Sequence, residues 1–490
     1  DTPVMHAPER PRFSKSQKAS PAKRRQAILR RSFKSRVTVG LLIGVIMGIC
    51  ALPLTRSGPP PYRGIPPSTN YPLTDKTLLK YRDTQNKDAI RDHIWKLYSD
   101  LTQGEGSRVP LWETWYNAKE VLAGKRTRNL SPQELQQPMQ LLQRSGALEP
   151  KLLTIPLLRT TVVYNQELTD YVLRKRLWKA KKIGDLNHQF GSGPGSKPIE
   201  QRSIPAVPNT AVALKLIWML VTSNYGDVGI WDADPDMCPG IPHEPGDDDH
   251  RVLVKACVQP DDPNQDAQPC GGPLPQNQVS LSDFHHSQLS PDELKLLLQS
   301  DQLKLFDKSI GSSLTVAPAG QVYKVLVGFH LATREIPDWV WATFWWHPHR
   351  CKRGSQDFSA GRSQALKTPW RNYVMDATLS METPHEPVTN DPKRCFNPYL
   401  EAPLPGGIAS NCMRCHRQAA YPVGCMDVRS GQLSDNNLDY FSNVTKTDYL
   451  WTLAIGIHKS GFNDHFVPKC PSDAPVYQCG PRNEANPLTK

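Results

Sequence analysis

The chain has 490 residues, which is too long for one ordinary domain and long enough to bury a large core. Most of its formal net charge of +12 comes from residues 1–36, where eleven Lys or Arg residues stand against two carboxylates. The rest of the chain is therefore close to neutral, so the charge gives no reason to expect a nucleic-acid-binding face.

An uncharged run follows this basic tail. "VTVGLLIGVIMGICALPL", residues 37–54, covers about 27 Å as a helix, which is enough to cross a bilayer core. Because Lys and Arg precede the run, we predict an anchor in the bacterial inner membrane, with residues 1–36 in the cytoplasm and the body in the periplasm. A cleaved signal peptide and lipid attachment at Cys50 are the alternatives. Prolines in residues 55–72 predict an extended spacer.

Residues 73–200 are predicted to be mainly helical. In "TQNKDAIRDHIWKLYSDL", residues 84–101, the apolar residues recur at helical spacing and share one face: Ile90, Ile94, Leu97 and Leu101. The pattern predicts a helix that packs this face against a core.

Residues 201–490 are predicted to form a β-rich domain. Apolar or alternating runs predict strands at residues 210–221, 321–333 and 339–347, the last two joined as a hairpin. The Trp-rich run is apolar on both faces, which is typical of a strand buried on both sides. The predicted fold class is α+β: a predominantly β core with helical decoration and long Pro-rich loops, preceded by one N-terminal transmembrane helix.

The chain carries eleven cysteines, which fits an oxidising compartment. Three of them are left out of the count of possible disulfide cysteines: Cys50 in the apolar run and the two cysteines of a motif described below. The other eight predict up to four disulfides, with buried thiols as the alternative: Cys238, Cys257, Cys270, Cys351, Cys395, Cys425, Cys470 and Cys479. The shortest loops are closed by Cys470–Cys479 and Cys257–Cys270.

The strongest chemical signal is Cys412-Met413-Arg414-Cys415-His416, a C-x-x-C-H motif. Two thiols one helical turn apart can each bond a haem vinyl group, and the adjacent imidazole can then bind the iron. At the Cys and His frequencies of this chain, about 0.007 such motifs are expected by chance. We therefore predict one covalent haem c. A structural zinc site completed by Cys425 is the minor alternative.

The second axial ligand has three candidates. His330 lies on the less apolar face of its predicted strand, opposite Phe329 and Leu331. His347 ends the Trp-rich strand, and Met426 follows the motif by ten residues. A strand histidine is more often a hydrogen-bonded core residue than a ligand, so the choice stays open.

Three segments resemble large exported single-haem cytochrome c family proteins of bacteria, a mostly uncharacterised family. They are "VGFHLATREIPDWVWATFWW" (residues 327–346), "NPYLEAPLPGGIASNCMRCHRQAAYP" (397–422) and "TDYLWTLA" (447–454). The resemblance implies covalent haem c at Cys412, Cys415 and His416, and a periplasmic setting. It also draws attention to His330, and it implies no particular reaction.

The function predicted from these signals is one-electron transfer by a membrane-tethered periplasmic c-type cytochrome. Its partner would be a redox protein or a small electron donor or acceptor. A nucleic acid is not expected as a partner. The alternatives are a haem enzyme with an open distal site, peroxidase-like or substrate-oxidising, and a haem-bearing subunit of a larger redox complex. No catalytic residue is predicted.

Overall fold

A computed structural model describes part of the chain, and the described residues all belong to one compact unit spanning residues 57–490. These are residues 62–66, 69–84, 86–103, 109–127, 159–191, 196–222, 227–231, 251–257, 278–289, 293, 322–347, 352–353, 356–379, 395–401, 411–422, 441 and 444–456. The predicted tail and anchor lie outside them. No helix among the described residues combines the length and the apolar character that a bilayer crossing requires.

The described part of the chain is α+β, as the sequence predicts. Its strands are β1 (Tyr116–Asn117), β2 (Arg159–Tyr164), β3 (Val212–Thr222), β4 (Asp227–Trp231), β5 (Arg251–Cys257), β6 (Gln278–Ser280), β7 (His286–Gln288), β8 (Val322–Thr333), β9 (Val340–Trp346), β10 (Lys352–Arg353), β11 (Gln356–Asp357), β12 (Tyr373–Thr378), β13 (Ala420–Tyr421) and β14 (Thr445–Lys446). Its helices are α1 (Asp75–Asp83), α2 (Lys87–Gln103), α3 (Ala118–Leu122), α4 (Gln166–Arg174), α5 (Ala180–Phe190), α6 (Cys412–Arg417) and α7 (Trp451–Gly456).

The largest sheet in the described residues is antiparallel and has seven strands. Its order is β1-β2-β3-β8-β9-β12, and β7 pairs with β8. The predicted hairpin is confirmed, since β8 pairs with β9 from Gly328↔Trp345 to Thr333↔Val340. Every residue of β9 is buried, as its two apolar faces predict. Strands β1 and β2 come from residues 73–200 and join the sheet through β3.

One face of the sheet packs on α1 and α2. The predicted amphipathic helix is confirmed, because Ile94, Leu97 and Leu101 of α2 are buried in this core. Tyr98 of the same helix stacks on Phe344 with ring centroids 4.6 Å apart. Burial of large aromatic rings in this way supplies much of a core's hydrophobic stabilisation.

A second apolar core covers the opposite face. It joins side chains of α3, α4, α6 and α7 to Trp341 and Ala332 of the sheet. The C-x-x-C-H motif forms α6, so the sheet presents this second face to the predicted haem site.

The strict alternation that the sequence predicts for β8 fails at one point. Ile217 pairs with Gly328, whereas the next residue, Trp218, pairs with Leu326, so Val327 is an extra residue in β8. A β-bulge of this kind reverses the side-chain alternation on its two sides. Leu326 therefore lies on the same face as Phe329, and not on the face of His330 where simple alternation places it.

Candidate functional site

The C-x-x-C-H residues form the short helix α6. Asn411 caps it, because its side-chain oxygen accepts a hydrogen bond from the backbone N–H of Met413 at 3.0 Å. The indole N–H of Trp451 donates to the carbonyl of Cys415 at 3.1 Å and ties the helix to α7. Cys412 and Cys415 both carry reduced thiols, one helical turn apart.

His416 is held in a defined tautomer. Its Nδ1 donates a hydrogen bond to the backbone carbonyl of Tyr449 at 2.8 Å. Burial lowers the pKa of His416 to about 3, although the carbonyl bond opposes this shift. The imidazole is therefore neutral at ordinary pH, and its Nε2 keeps a lone pair for a metal ion. The Trp341 ring packs beside the imidazole, with centroids 4.3 Å apart.

The Tyr449 carbonyl, which accepts the hydrogen bond from His416, lies in a strained loop. Asp448 and Tyr449 have φ values of 49° and 65°, in the left-handed region, which Asp tolerates better than Tyr does. Asp448 accepts hydrogen bonds from the indole of Trp339 at 3.1 Å and from Arg334 at 3.2 Å. The Tyr449 hydroxyl donates to Asp338 at 2.9 Å. These side chains hold a backbone conformation that fixes the direction of the Tyr449 carbonyl.

Polar side chains cross the middle of the sheet on the face that carries α6. The register places Lys215 opposite His330, His330 opposite Thr343, and Thr343 opposite Asp376. Directly opposed residues in a sheet point to the same face, so these four form one row, here called the polar row. Burial lowers the pKa of Lys215, and the nearby Glu401 partly offsets the shift.

The structure brings His330, the first candidate for the second ligand, to the motif. Its Nδ1 lies 3.7 Å from the sulfur of Cys412. Its Nε2 is buried and makes no hydrogen bond. Oε1 of Glu401 lies 3.1 Å from that nitrogen, outside the angles of a hydrogen bond. His330 is thus buried beside the motif, with its Nε2 facing the Glu401 carboxylate, and it is the candidate that the fold places at the site.

The other candidates are not brought to the motif in the described residues. His347 is buried and follows the far end of β9. It stands six residues beyond Trp341, which is about 20 Å along an extended strand. Met426 lies outside the described residues, and so does Cys425, the fourth ligand of the alternative zinc site.

A third thiol lies beside the motif. The sulfur of Cys395 is 4.0 Å from that of Cys412, and the Cys412 thiol donates to the Cys395 carbonyl at 3.1 Å. The interaction with Cys395 and burial together raise the pKa of Cys412. Cys395 is a free, fully buried thiol in the structure. The side chains of the other seven cysteines predicted to form disulfides lie outside the described residues.

Several parts of the site are missing from the sequence prediction. Lys215 interrupts the apolar run of β3. A single charged residue in a buried strand is unusual, and this signal could have marked Lys215 as a site residue. Glu401 and the Tyr449 carbonyl carry no such signal, because their role depends on the tertiary fold. The three segments of the family resemblance do converge here, through β8 and β9, α6 and the Tyr449 loop.

No family of proteins, no curated protein and no solved structure matches the chain. Among the described residues, no three His, Cys, Asp or Glu side chains form a group that could hold a metal ion.

Proposed function

We propose that the chain is a c-type haem protein in which Cys412 and Cys415 hold the haem through thioether bonds and Nε2 of His416 binds the iron. The observation that carries this proposal is the 2.8 Å hydrogen bond from Nδ1 of His416 to the Tyr449 carbonyl. A bond from the second ring nitrogen orients a ligating histidine and makes it a better ligand. Together with the Cys412 and Cys415 thiols, which stand four residues and one residue before it, this arrangement fits haem c.

One-electron transfer is the activity that we propose first. When bound, haem c supplies an iron that gains and loses one electron. Two neighbouring groups set the conditions for that change: the backbone carbonyl of Tyr449 supports His416, and the Trp341 side chain packs beside its ring. We propose His330 as the second ligand, because its ring is buried beside the motif, with Nδ1 3.7 Å from the Cys412 sulfur. Two histidine ligands would leave no open position for a substrate.

The setting follows from residues 1–54, which lie outside the described residues. We propose that they tether the protein to the bacterial inner membrane, with the haem in the periplasm. The partner is then a redox protein or a small electron donor or acceptor. A haem-bearing subunit of a larger redox complex has the same chemistry, and purification with or without other chains distinguishes it.

The polar row favours one second function, a haem enzyme. Lys215, His330 and Glu401 are titratable groups close together on the face that carries α6. If His330 does not bind the iron, these groups could deliver protons to a bound oxidant such as peroxide. A structural zinc site is the minor alternative, and it would need Cys425, which lies outside the described residues, to join Cys412, Cys415 and His416.

The test is to produce the chain together with haem-maturation machinery and to look for haem that stays bound after denaturation. Near-infrared magnetic circular dichroism then identifies the axial ligands, and His/His ligation is expected. His330→Ala should produce high-spin iron that binds carbon monoxide. His347→Ala is the matched control, because His347 is also buried but follows the far end of β9, and it should leave the spectrum unchanged. High-spin iron in the unmodified protein would favour the enzyme.

A further inference from the structure

Cys395 and Cys412 come together although sixteen residues separate them in the chain. Their sulfurs lie 4.0 Å apart, and both side chains are buried. The Cys412 thiol is directed to this neighbour, because it donates to the Cys395 carbonyl at 3.1 Å. The structure therefore gives Cys412 a second possible covalent partner besides a haem vinyl group.

The backbone geometry also suits a bond between these cysteines. The N–H of Cys412 donates to the carbonyl of Cys395 at 3.0 Å, and Cys395 bridges Asn411 in parallel. Adjoining backbones of this kind bring two α-carbons within the range that a disulfide spans. A rotation of the two side chains would close the remaining gap between the sulfurs.

The segment that carries Cys395 is fixed to the sheet. The side-chain amide of Asn397 donates to the Thr343 hydroxyl at 3.0 Å and to the Phe344 carbonyl at 2.9 Å. Gly328 leaves room for this amide, since a β-carbon there would lie 2.8 Å from its nitrogen. Cys395 is thus placed beside the motif by the same strands that carry His330.

We propose that Cys395 and Cys412 form a disulfide in the exported chain before haem attachment. Each thiol gives up one proton and one electron, and a disulfide-bearing thiol oxidase takes up both pairs and becomes a dithiol. Because both thiols are buried in the folded protein, the bond forms while the chain folds. A dithiol reductant reverses the exchange and restores both thiols.

The disulfide would control haem attachment, a consequence that rests on the proposed haem function. A thioether forms when the S–H bond of Cys412 adds across a vinyl group, so that sulfur bonds one carbon and hydrogen the other. Sulfur already bonded to Cys395 has no hydrogen to add. Reduction of the bond would therefore precede attachment, and Cys395 would protect Cys412 until then.

The test uses full-length protein exported by a bacterial host that lacks haem-maturation machinery. Thiols are blocked with N-ethylmaleimide under denaturing conditions, and tryptic peptides are identified by mass. Trypsin cuts after Arg394, Arg414 and Arg417, so residues 395–414 form one peptide that contains both cysteines. The proposal predicts that this peptide carries no N-ethylmaleimide and is lighter by two hydrogen atoms than its reduced form. A peptide joined to residues 415–417, or blocked at both thiols, would overturn it.

Two variants provide the controls. Cys415→Ser removes the alternative bond within the motif and should leave the lighter peptide in place, whereas Cys395→Ser should abolish it. A Cys415→Ser protein that is fully blocked at both remaining thiols would count against the proposal even if it folds poorly. The haem proposal has its own contradicting result, independent of the disulfide: a reduced chain with free thiols that never acquires covalent haem from the maturation machinery.

Discussion

Asp448→Ala tests whether a side-chain network holds the loop that supports His416. The substitution removes the acceptor of the Trp339 indole and of Arg334, whose side chain is only 14 % exposed. An unsatisfied buried donor costs about 1–3 kcal/mol, and breaking a buried ion pair costs about 3–5 kcal/mol. Because the Arg334–Asp448 pair is partly exposed, we expect a loss of about 3–4 kcal/mol in the free energy of unfolding.

The same substitution should affect His416. Without its anchor, the loop can leave the left-handed conformation of Asp448 and Tyr449, and the Tyr449 carbonyl then turns away from Nδ1. Asp448→Asn keeps the shape and loses only the charge, so it should cost about half as much.

Urea unfolding of the haem-free protein measures these differences. Asp185→Asn is the matched control, because Asp185 pairs with Lys181 on the exposed face of α5 and should change stability by less than about 0.5 kcal/mol. If Asp448→Ala destabilises the protein no more than this control does, the network does not hold the loop and the reasoning is refuted.

Three further predictions use the same unfolding assay. Gly328→Ala should destabilise the protein by about 1–3 kcal/mol, because its β-carbon would lie 2.7 Å from the Phe344 carbonyl; an unchanged midpoint would contradict this. Glu335→Ala should cost about 3–5 kcal/mol, since the buried carboxylate accepts from His93 at 3.0 Å, and a loss below 1 kcal/mol would count against it. Stability of the haem-free protein should fall as the pH falls from about 6.5 towards 3, because His416 takes up a proton only on unfolding. The loss is below about 5 kcal/mol, since His416 as a residue is only half-buried and solvent screens part of the effect, and it should be smaller in His416→Asn.

Local patterns predicted the elements of this fold better than their arrangement. Helix α2 and strands β8 and β9 follow from apolar spacing, because that spacing directly reflects which side chains are buried. The bulge at Val327 depends on long-range pairing with β3, and Gly328 beside it was its only local signal. The pairing of β2 with β3 is likewise a long-range contact with no local signal.

The candidate site likewise has parts that follow from local sequence and parts that depend on long-range contacts. The C-x-x-C-H spacing is local, so the sequence alone indicated the helical turn that α6 provides. The position of His330 beside Cys412 needed both a strand register and the docking of a helix 82 residues later. The Tyr449 carbonyl is a backbone atom, and its role as an acceptor comes only from the tertiary fold.

The central claim is that Cys412 and Cys415 carry a covalent haem with His416 on the iron. Its most direct measurement is the mass of the denatured protein made with haem-maturation machinery, together with a haem stain of the same sample. The account predicts one haem per chain, attached to the tryptic fragments that contain Cys412 and Cys415 and lost in the Cys412→Ala, Cys415→Ala double variant. Folded protein with both thiols reduced and no bound haem would contradict it.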